Sequence, residues 1–145
     1  MGIFKKLFGE NNKEEKAEEH FKKSGEHLNS GDFEAGINEL NKAIEINPTN
    51  SIYYYNRGTA KKMMLNYKEA IPDLTKSIEL NFNKAKNAYF NRALSRFHTK
   101  DIAGAKLDNQ KAKALGYRLE DIEQLEDWII EVEEIGYDDF IKQWD

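Results

Sequence analysis

Aromatic rings beside carboxamides stand twice in this chain, at a fixed separation. YYYNRGTA occupies residues 53–60 and AYFNRALS occupies residues 88–95, so the pattern returns after 35 residues. Aromatic faces cover apolar side chains, and each carboxamide offers a donor and an acceptor to a peptide backbone. These residue types are suited to holding an extended or helical peptide.

Other chemistries find less support in the sequence. The chain has no cysteine, and its three histidines, His20, His27 and His98, have no third ligand at metal-site spacing. The acidic pair Asp138 and Asp139 reads as part of a solvated helix face, and no glycine-rich phosphate loop is present. We therefore expect no metal, no cofactor and no enzymatic activity.

The charge of the chain is divided unevenly. The net charge is −4, but residues 1–116 carry a balance of +5 and residues 117–145 a balance of −9. Neither part is basic enough to indicate nucleic acid as a partner. No apolar run approaches the ~20 residues needed to span a bilayer, and the first residues lack a cleavage site, so a cytoplasmic protein is expected.

Small residues recur at intervals of 34 and 35, which indicates an internal repeat. Three columns share this register: Ser24, Gly58, Ala93; Gly36, Ala70, Ala105; Ala43, Ser77, Ala112. Between the first two columns stand Asp32, Asn66 and Asp101, which are good helix N-caps. Each unit therefore reads as a helix, a short turn and a second helix.

This pattern resembles the tetratricopeptide repeat, a 34-residue helix-turn-helix with small residues at set positions. The resemblance covers residues 17–50, 51–85 and 86–117 and implies an all-α superhelix of stacked helix pairs. Phe82 and Tyr117 depart from the family by replacing the closing proline, and Pro72 lies inside the second helix of the second unit, which we expect it to bend.

The end of the array is marked by a change of polarity. Lys106, Asn109 and Lys113 stand where the first two units have apolar residues, which predicts a polar outer face. Residues 118–145 are then predicted to form an acidic capping helix and tail. The helix has an apolar stripe made of Leu119, Ile122, Leu125, Ile129 and Val132. Lysines 106, 111 and 113 are expected to face Glu123, Glu126, Asp127 and Glu131.

The resemblance also implies where a partner binds. First helices of such units line the concave face of the superhelix. The peptide-binding groove is thereby predicted to comprise Phe21, Lys22, Tyr55, Asn56, Thr59, Lys62, Met63, Phe90, Asn91, Leu94, Phe97 and His98. Tyr54 and Tyr89 are expected to be packing residues. Arg57 and Arg92 are expected at the rim between units, bonded to acids or carbonyls.

Some members of the family clamp the acidic carboxy-terminal tail of a chaperone with lysine, asparagine and arginine side chains. The corresponding positions here are Phe21, Gly25, Asn56, Asn87 and Asn91, of which Asn56 alone matches. A carboxylate requires cationic donors at these positions. We therefore expect the groove to hold a different class of peptide.

Residues 1–16 are predicted to be an amphipathic, flexible lead followed by a linker. Ile3, Phe4, Leu7 and Phe8 would share one side of a helix, with Lys5 and Lys6 on the other. The sequence thus predicts a non-enzymatic adaptor or scaffold that binds a protein or peptide partner. The alternative is a membrane-surface assembly factor with weak contact through residues 1–9. Self-association through the lead or the acidic helix stays open, as does whether that helix caps the array or occupies the groove.

Overall fold

The computed structural model of the protein describes the backbone of residues 2–144 and the side chains of residues 12–144. Within this range the chain forms eight α-helices and no strand. The helices are grouped into two compact units, residues 1–82 and residues 83–145. Among the described residues, no helix combines the length and apolar character needed to cross a bilayer. The all-α fold predicted from the repeat register is confirmed.

The first unit contains two helix pairs. α1 (Gly2–Asn29) packs on α2 (Phe33–Ile46), and α3 (Ser51–Met63) packs on α4 (Tyr67–Glu79). α2 also packs on α3, so the four helices form a continuous stack. α4 continues through Pro72.

The beginning of the chain differs from the prediction of a linker. Residues 11–16 belong to α1, which is one helix from Gly2 to Asn29. Lysine and glutamate are good helix formers, and Ala17 is buried in the cluster with Leu40, Ala43 and Tyr53, which fixes this part of the helix. The side chains of the amphipathic lead lie outside the described residues, so its membrane contact stays a prediction.

The repeating small residues lie where helices approach most closely. Ser24, Ala93, Ala70, Ala105, Ala43, Ser77 and Ala112 are all fully buried. At Gly58 an added Cβ would lie 2.9 Å from Cγ of Leu74 and 3.2 Å from the carbonyl oxygen of Ala70. The close packing of α3 on α4 therefore requires a residue without a side chain at this point.

The turns inside the helix pairs share one conformation. Asp32 and Asp101 accept N-cap hydrogen bonds from the backbone N–H groups of Ala35 and Gly104, at 3.1 Å and 2.9 Å. Asn66 occupies the third N-cap position but makes no capping bond with its side chain. The residue before each N-cap is left-handed: Gly31 has φ 83°, Leu65 has φ 62° and Lys100 has φ 65°.

The second unit adds two helices to one repeat pair. α5 (Ala85–His98) packs on α6 (Ile102–Ala114), and α7 (Leu119–Ile135) packs on both of them. α8 (Tyr137–Ile141) follows after Gly136, whose φ is 86°, and packs on α7. The predicted capping helix is thus confirmed as α7.

The apolar stripe of α7 is buried except at its start. Ile122, Leu125, Ile129 and Val132 lie in the core of the second unit, whereas Leu119 is 55% exposed. Leu119 is the first residue of α7, before the helix reaches its neighbours, so its inclusion in the buried stripe was wrong.

The polar end of the third repeat is partly covered by α7. Asn109, predicted on an outer face, is buried and donates a hydrogen bond from Nδ2 to the carbonyl oxygen of Ile122 at 3.0 Å. Lys113 pairs with Glu126 as predicted, at 3.1 Å, and Lys106 pairs with Glu133. These exposed pairs contribute only ~0–1 kcal/mol each, so the apolar stripe supplies most of the docking energy.

Candidate peptide-binding site

The repeated arginine of the first unit joins the two helices of the second repeat. Arg57 on α3 donates from Nε and Nη2 to the two carboxylate oxygens of Asp73 on α4, at 2.9 Å and 2.6 Å. Its Nη1 donates to Oδ1 of Asn41 at 2.7 Å, and Lys61 donates to Asp73 at 2.7 Å. The guanidinium also lies over the ring of Tyr54, 5.6 Å from its centroid. Arg57 is therefore a structural link between α3 and α4.

The second unit repeats this arrangement. Arg92 on α5 binds both carboxylate oxygens of Asp108 on α6 at 2.7 Å, and Arg96 donates to the same carboxylate at 2.8 Å. The guanidinium of Arg92 lies 5.5 Å from the ring centroid of Tyr89. Both arginines bond to acids, as expected, but these acids belong to the second helix of the same repeat and not to the rim between repeats.

The aromatic residue after each of these tyrosines is held by a stack. Tyr55 and Phe82 have ring centroids 4.4 Å apart at an interplanar angle of 22°. Phe90 and Tyr117 are 4.3 Å apart at 20°. Phe82 and Tyr117 are the residues that replace the closing proline of the family, so these two departures serve to fix a predicted groove ring in each unit.

The asparagines of the repeated motif, Asn56 and Asn91, have different surroundings. Asn56 is half-buried and donates from Nδ2 to the carbonyl oxygen of Ile52, four residues earlier, at 3.1 Å. Asn91 is buried, and its backbone carbonyl oxygen accepts from Oγ of Ser95 at 2.9 Å. Asn56 is therefore the more accessible of the two carboxamides.

The remaining groove residues of the first unit range from half-buried to exposed. Phe21 lies 5.1 Å from the ring of Tyr53, the tyrosine that is buried in this unit, whereas Tyr54 is half-buried. Burial lowers the pKa of the Lys62 ammonium. Met63 is 56% exposed, Lys22 is exposed and Thr59 is half-buried. Met63 thus offers the largest open apolar surface in this set.

In the second unit, three predicted groove residues are buried, and two of them, Phe90 and Phe97, lie in the core. Phe97 is 1% exposed, with its ring against Trp128, Tyr137 and Phe140 at 6.0, 5.6 and 5.7 Å. Its assignment to an open groove was wrong, because α7 and α8 cover the ring. Leu94 and His98 are half-buried beside it.

Two of the three histidines lie beside carboxylates. Nδ1 of His20 lies 2.6 Å from Oε2 of Glu39, and His27 lies 3.7 Å from Asp32. Hydrogen bonds from Lys42 and then His20 lower the pKa of Glu39 to about 2. Among the side chains of residues 12–144, no group of three histidine or carboxylate residues is placed to hold a metal ion.

Sequence reasoning missed Asp73 and Asp108, the acceptors that position the repeated arginines. A signal was available, because each acid follows its arginine by 16 residues in both repeats. The stacking of Phe82 and Tyr117 could have been found in the same way, since each follows its partner ring by 27 residues.

Comparison with known proteins identifies the repeat. A family model described as TPR repeat matches residues 26–64, and one described as tetratricopeptide repeat matches residues 52–84. The bovine (Bos taurus) protein SGT1 homolog is 33% identical over 85 residues, which are 59% of this chain and 25% of that protein. The chain thus matches about a quarter of the length of this relative.

Solved structures show the same fold. The first TPR of Spaghetti (RPAP3), bound to the HSP90 peptide SRMEEVD, has a TM-score of 0.74 at 22% identity, covering 82% of this chain and 94% of that one. The TPR2B domain of yeast Sti1 in a complex with pHsp70 has a TM-score of 0.69 at 27% identity, covering 76% and 92%. The family-model matches show that residues 26–84 are built of tetratricopeptide repeats, and the solved structures show that the chain has the fold of TPR domains.

Proposed function

We propose that the protein is a non-enzymatic adaptor that binds a peptide or helix of a partner protein on the first helices of its repeats. The observation that carries the proposal is the half-buried ring–amide pair of the first unit, Tyr55–Asn56, whose ring is fixed by a stack. The corresponding Phe90 and Asn91 of the second unit are buried. The peptide complexes of the related TPR domains support it.

The site is preorganised in two ways. The Arg57–Asp73 link holds α3 against α4, so the helix that carries Tyr55 and Asn56 keeps its position when a ligand binds. The stack on Phe82 restricts the Tyr55 ring before binding. Binding therefore costs little additional side-chain entropy, which favours affinity from a small contact area.

The peptide we propose is not the acidic chaperone tail. The clamp positions carry Phe21, Gly25, Asn56, Asn87 and Asn91, so four of the five lack the family's donor residues. Phe21 packs on Tyr53, and the amide of Asn56 bonds to its own helix, so this site offers rings and one carboxamide. Such a surface suits an apolar side chain and a neighbouring backbone amide.

The experiment begins with selection of binders to the full chain from a displayed peptide library, followed by calorimetry on a selected peptide. Asn56→Ala combined with Met63→Ala should weaken binding about tenfold, because it removes a backbone contact and the exposed apolar surface. Circular dichroism should show an unchanged helix content. Leu107→Ala, at an exposed position on α6, is the matched control and should bind normally.

Two results would contradict the proposal. Equal binding of the selected peptide to the Asn56/Met63 variant would place the site elsewhere. Tight binding of the peptide SRMEEVD would show that the chain takes the acidic tail despite its departures from the clamp. No observation on the described residues favours the membrane-surface alternative or a catalytic role.

A further inference from the structure

The second unit contains an apolar pocket that the proposed function does not use. It lies where the end of α5 meets α7 and α8 and has a volume of about 370 Å³. Aromatic residues make most of its wall: Phe97, His98, Trp128, Phe140, Ile141 and Trp144. This volume is at the lower end of the roughly 300–1,000 Å³ typical of ligand sites, so it suits a few apolar side chains.

One wall of the pocket is an exposed tryptophan. Trp144 is 69% exposed and lies 6.3 Å from the ring of Phe140, which is buried. Tryptophan is enriched at the centres of protein interfaces, where a partner covers it. A pocket lined by aromatic rings and bounded by an exposed indole is therefore arranged to receive apolar side chains from outside the unit.

The charge around the pocket favours a basic occupant. α7 and α8 belong to residues 117–145, which carry a balance of −9. Glu131 follows Trp128 by one helical turn, and it accepts a hydrogen bond from Nε2 of Gln143 at 3.0 Å. Asp138 pairs with Lys100 and Asp139 pairs with Lys142, but the segment as a whole has eleven acidic and only two basic side chains. An apolar ligand with lysines beside it would meet attraction here.

The chain itself contains a segment of this composition. Residues 2–9, GIFKKLFG, place four apolar side chains at helical spacing around Lys5 and Lys6. We propose that the pocket formed by α5, α7 and α8 binds residues 2–9 of a second copy of the chain. The apolar residues enter the pocket and the two lysines face the acidic helices, as an amphipathic helix lies in a groove.

The contact is heterologous, because the beginning of one copy meets the end region of another. Two reciprocal contacts close a dimer, and a single repeated contact extends into longer assemblies. In either case the association depends on both concentration and salt, since part of the attraction is between exposed charges.

The first test measures mass. Sedimentation of the full chain should show a mass that rises with protein concentration and falls in 0.5 M salt, the ionic strength being chosen to screen exposed charges. The synthetic peptide MGIFKKLFGEN, in excess, should compete with the same segment of the protein and return the chain to the monomer. A monomer at every concentration would overturn the proposal.

The second test reads the pocket directly. Trp128 and Trp144 are the two tryptophans of the chain, both line the pocket, and the peptide has none. Adding the peptide should therefore change tryptophan emission with a saturable dependence. In the Trp144→Ala variant the peptide should bind about tenfold more weakly, read from Trp128. Ile130→Ala removes an exposed apolar residue of α7 outside this pocket, and its peptide affinity should stay unchanged.

Variants of the lead complete the design. Phe4→Ala combined with Phe8→Ala should leave the helix content intact and abolish association. An assembly that survives this variant or Trp144→Ala would place the contact elsewhere and overturn the proposal. If the protein stays monomeric and its tryptophan emission changes when Phe4 and Phe8 are replaced, then residues 2–9 occupy the pocket of their own copy. That result would also overturn the proposal. The Asn56/Met63 variant should associate normally, so this proposal and the proposed function can fail separately.

Discussion

Removal of the Asp108 carboxylate tests how the paired helices of the second unit are held. The carboxylate is 2% exposed and accepts two hydrogen bonds from Arg92 and one from Arg96, all between 2.7 and 2.8 Å. The Arg92 side chain is only 11% exposed. Asp108→Ala therefore leaves a desolvated guanidinium without its main acceptor.

The magnitude follows from this burial. Breaking a buried ion pair from one side costs about 3–5 kcal/mol, and Asp108 belongs in this range because its partner is nearly buried. Asp73→Ala should cost less, about 2–4 kcal/mol, because Arg57 keeps its bond to Asn41 and is more exposed. In a domain of this size, 3–5 kcal/mol corresponds to a fall in Tm of roughly 10–15 °C.

Urea unfolding followed by circular dichroism and by tryptophan emission measures both variants, and the emission reports on the second unit. Glu120→Ala is the control, since Glu120 pairs with Arg118 at 3.5 Å on the open surface and should change stability by less than about 0.5 kcal/mol. An Asp108→Ala protein within about 1 kcal/mol of wild type would refute the reasoning, because a desolvated guanidinium cannot lose its acceptor at so small a cost. A larger loss at Asp73 than at Asp108 would refute the ranking by burial.

Three further predictions concern a turn residue, the loss of stability at acid pH and the capping helix. Leu65→Gly should stabilise the protein by about 0.5–1 kcal/mol. A leucine in the left-handed conformation costs about 1–2 kcal/mol, and the extra backbone entropy that glycine loses on folding cancels only part of the strain that is relieved. An unchanged urea midpoint would contradict this prediction. The folded-state pKa of Glu39 is about 2, below its ordinary value of 4.5, so its stabilisation is complete above pH 4.5 and is lost as pH falls towards 2. The stability difference between wild type and Glu39→Gln should therefore shrink between pH 4.5 and pH 2 in urea titrations, and a constant difference would be the contrary result. Deleting residues 118–145 uncovers Phe97 and should lower Tm by more than about 10 °C in a thermal melt, and an unchanged Tm would show that α7 does not stabilise the repeats.

The sequence by itself determined the repeat register, the helix pairs and the capping helix. Small residues at intervals of 34 and 35 had to be buried because helix pairs can approach closely only at such positions, and the structure buries them. Asp32 and Asp101 were assigned correctly as N-caps because capping is a local interaction within a few residues. The proposed groove residues stay predictions, apart from Phe90, Asn91 and Phe97, which are buried.

Only the tertiary structure decided what covers each surface. An apolar stripe on α7 predicts that the helix is buried, but not that α7 and α8 close over Phe97 and form a pocket with Trp144. The burial of Asn109 under α7 could not be predicted either, because a polar residue at the end of a stack is compatible with both solvent and a docked helix. Periodicity specifies which face of a helix is apolar, whereas the identity of the neighbour depends on contacts between residues that are distant in sequence.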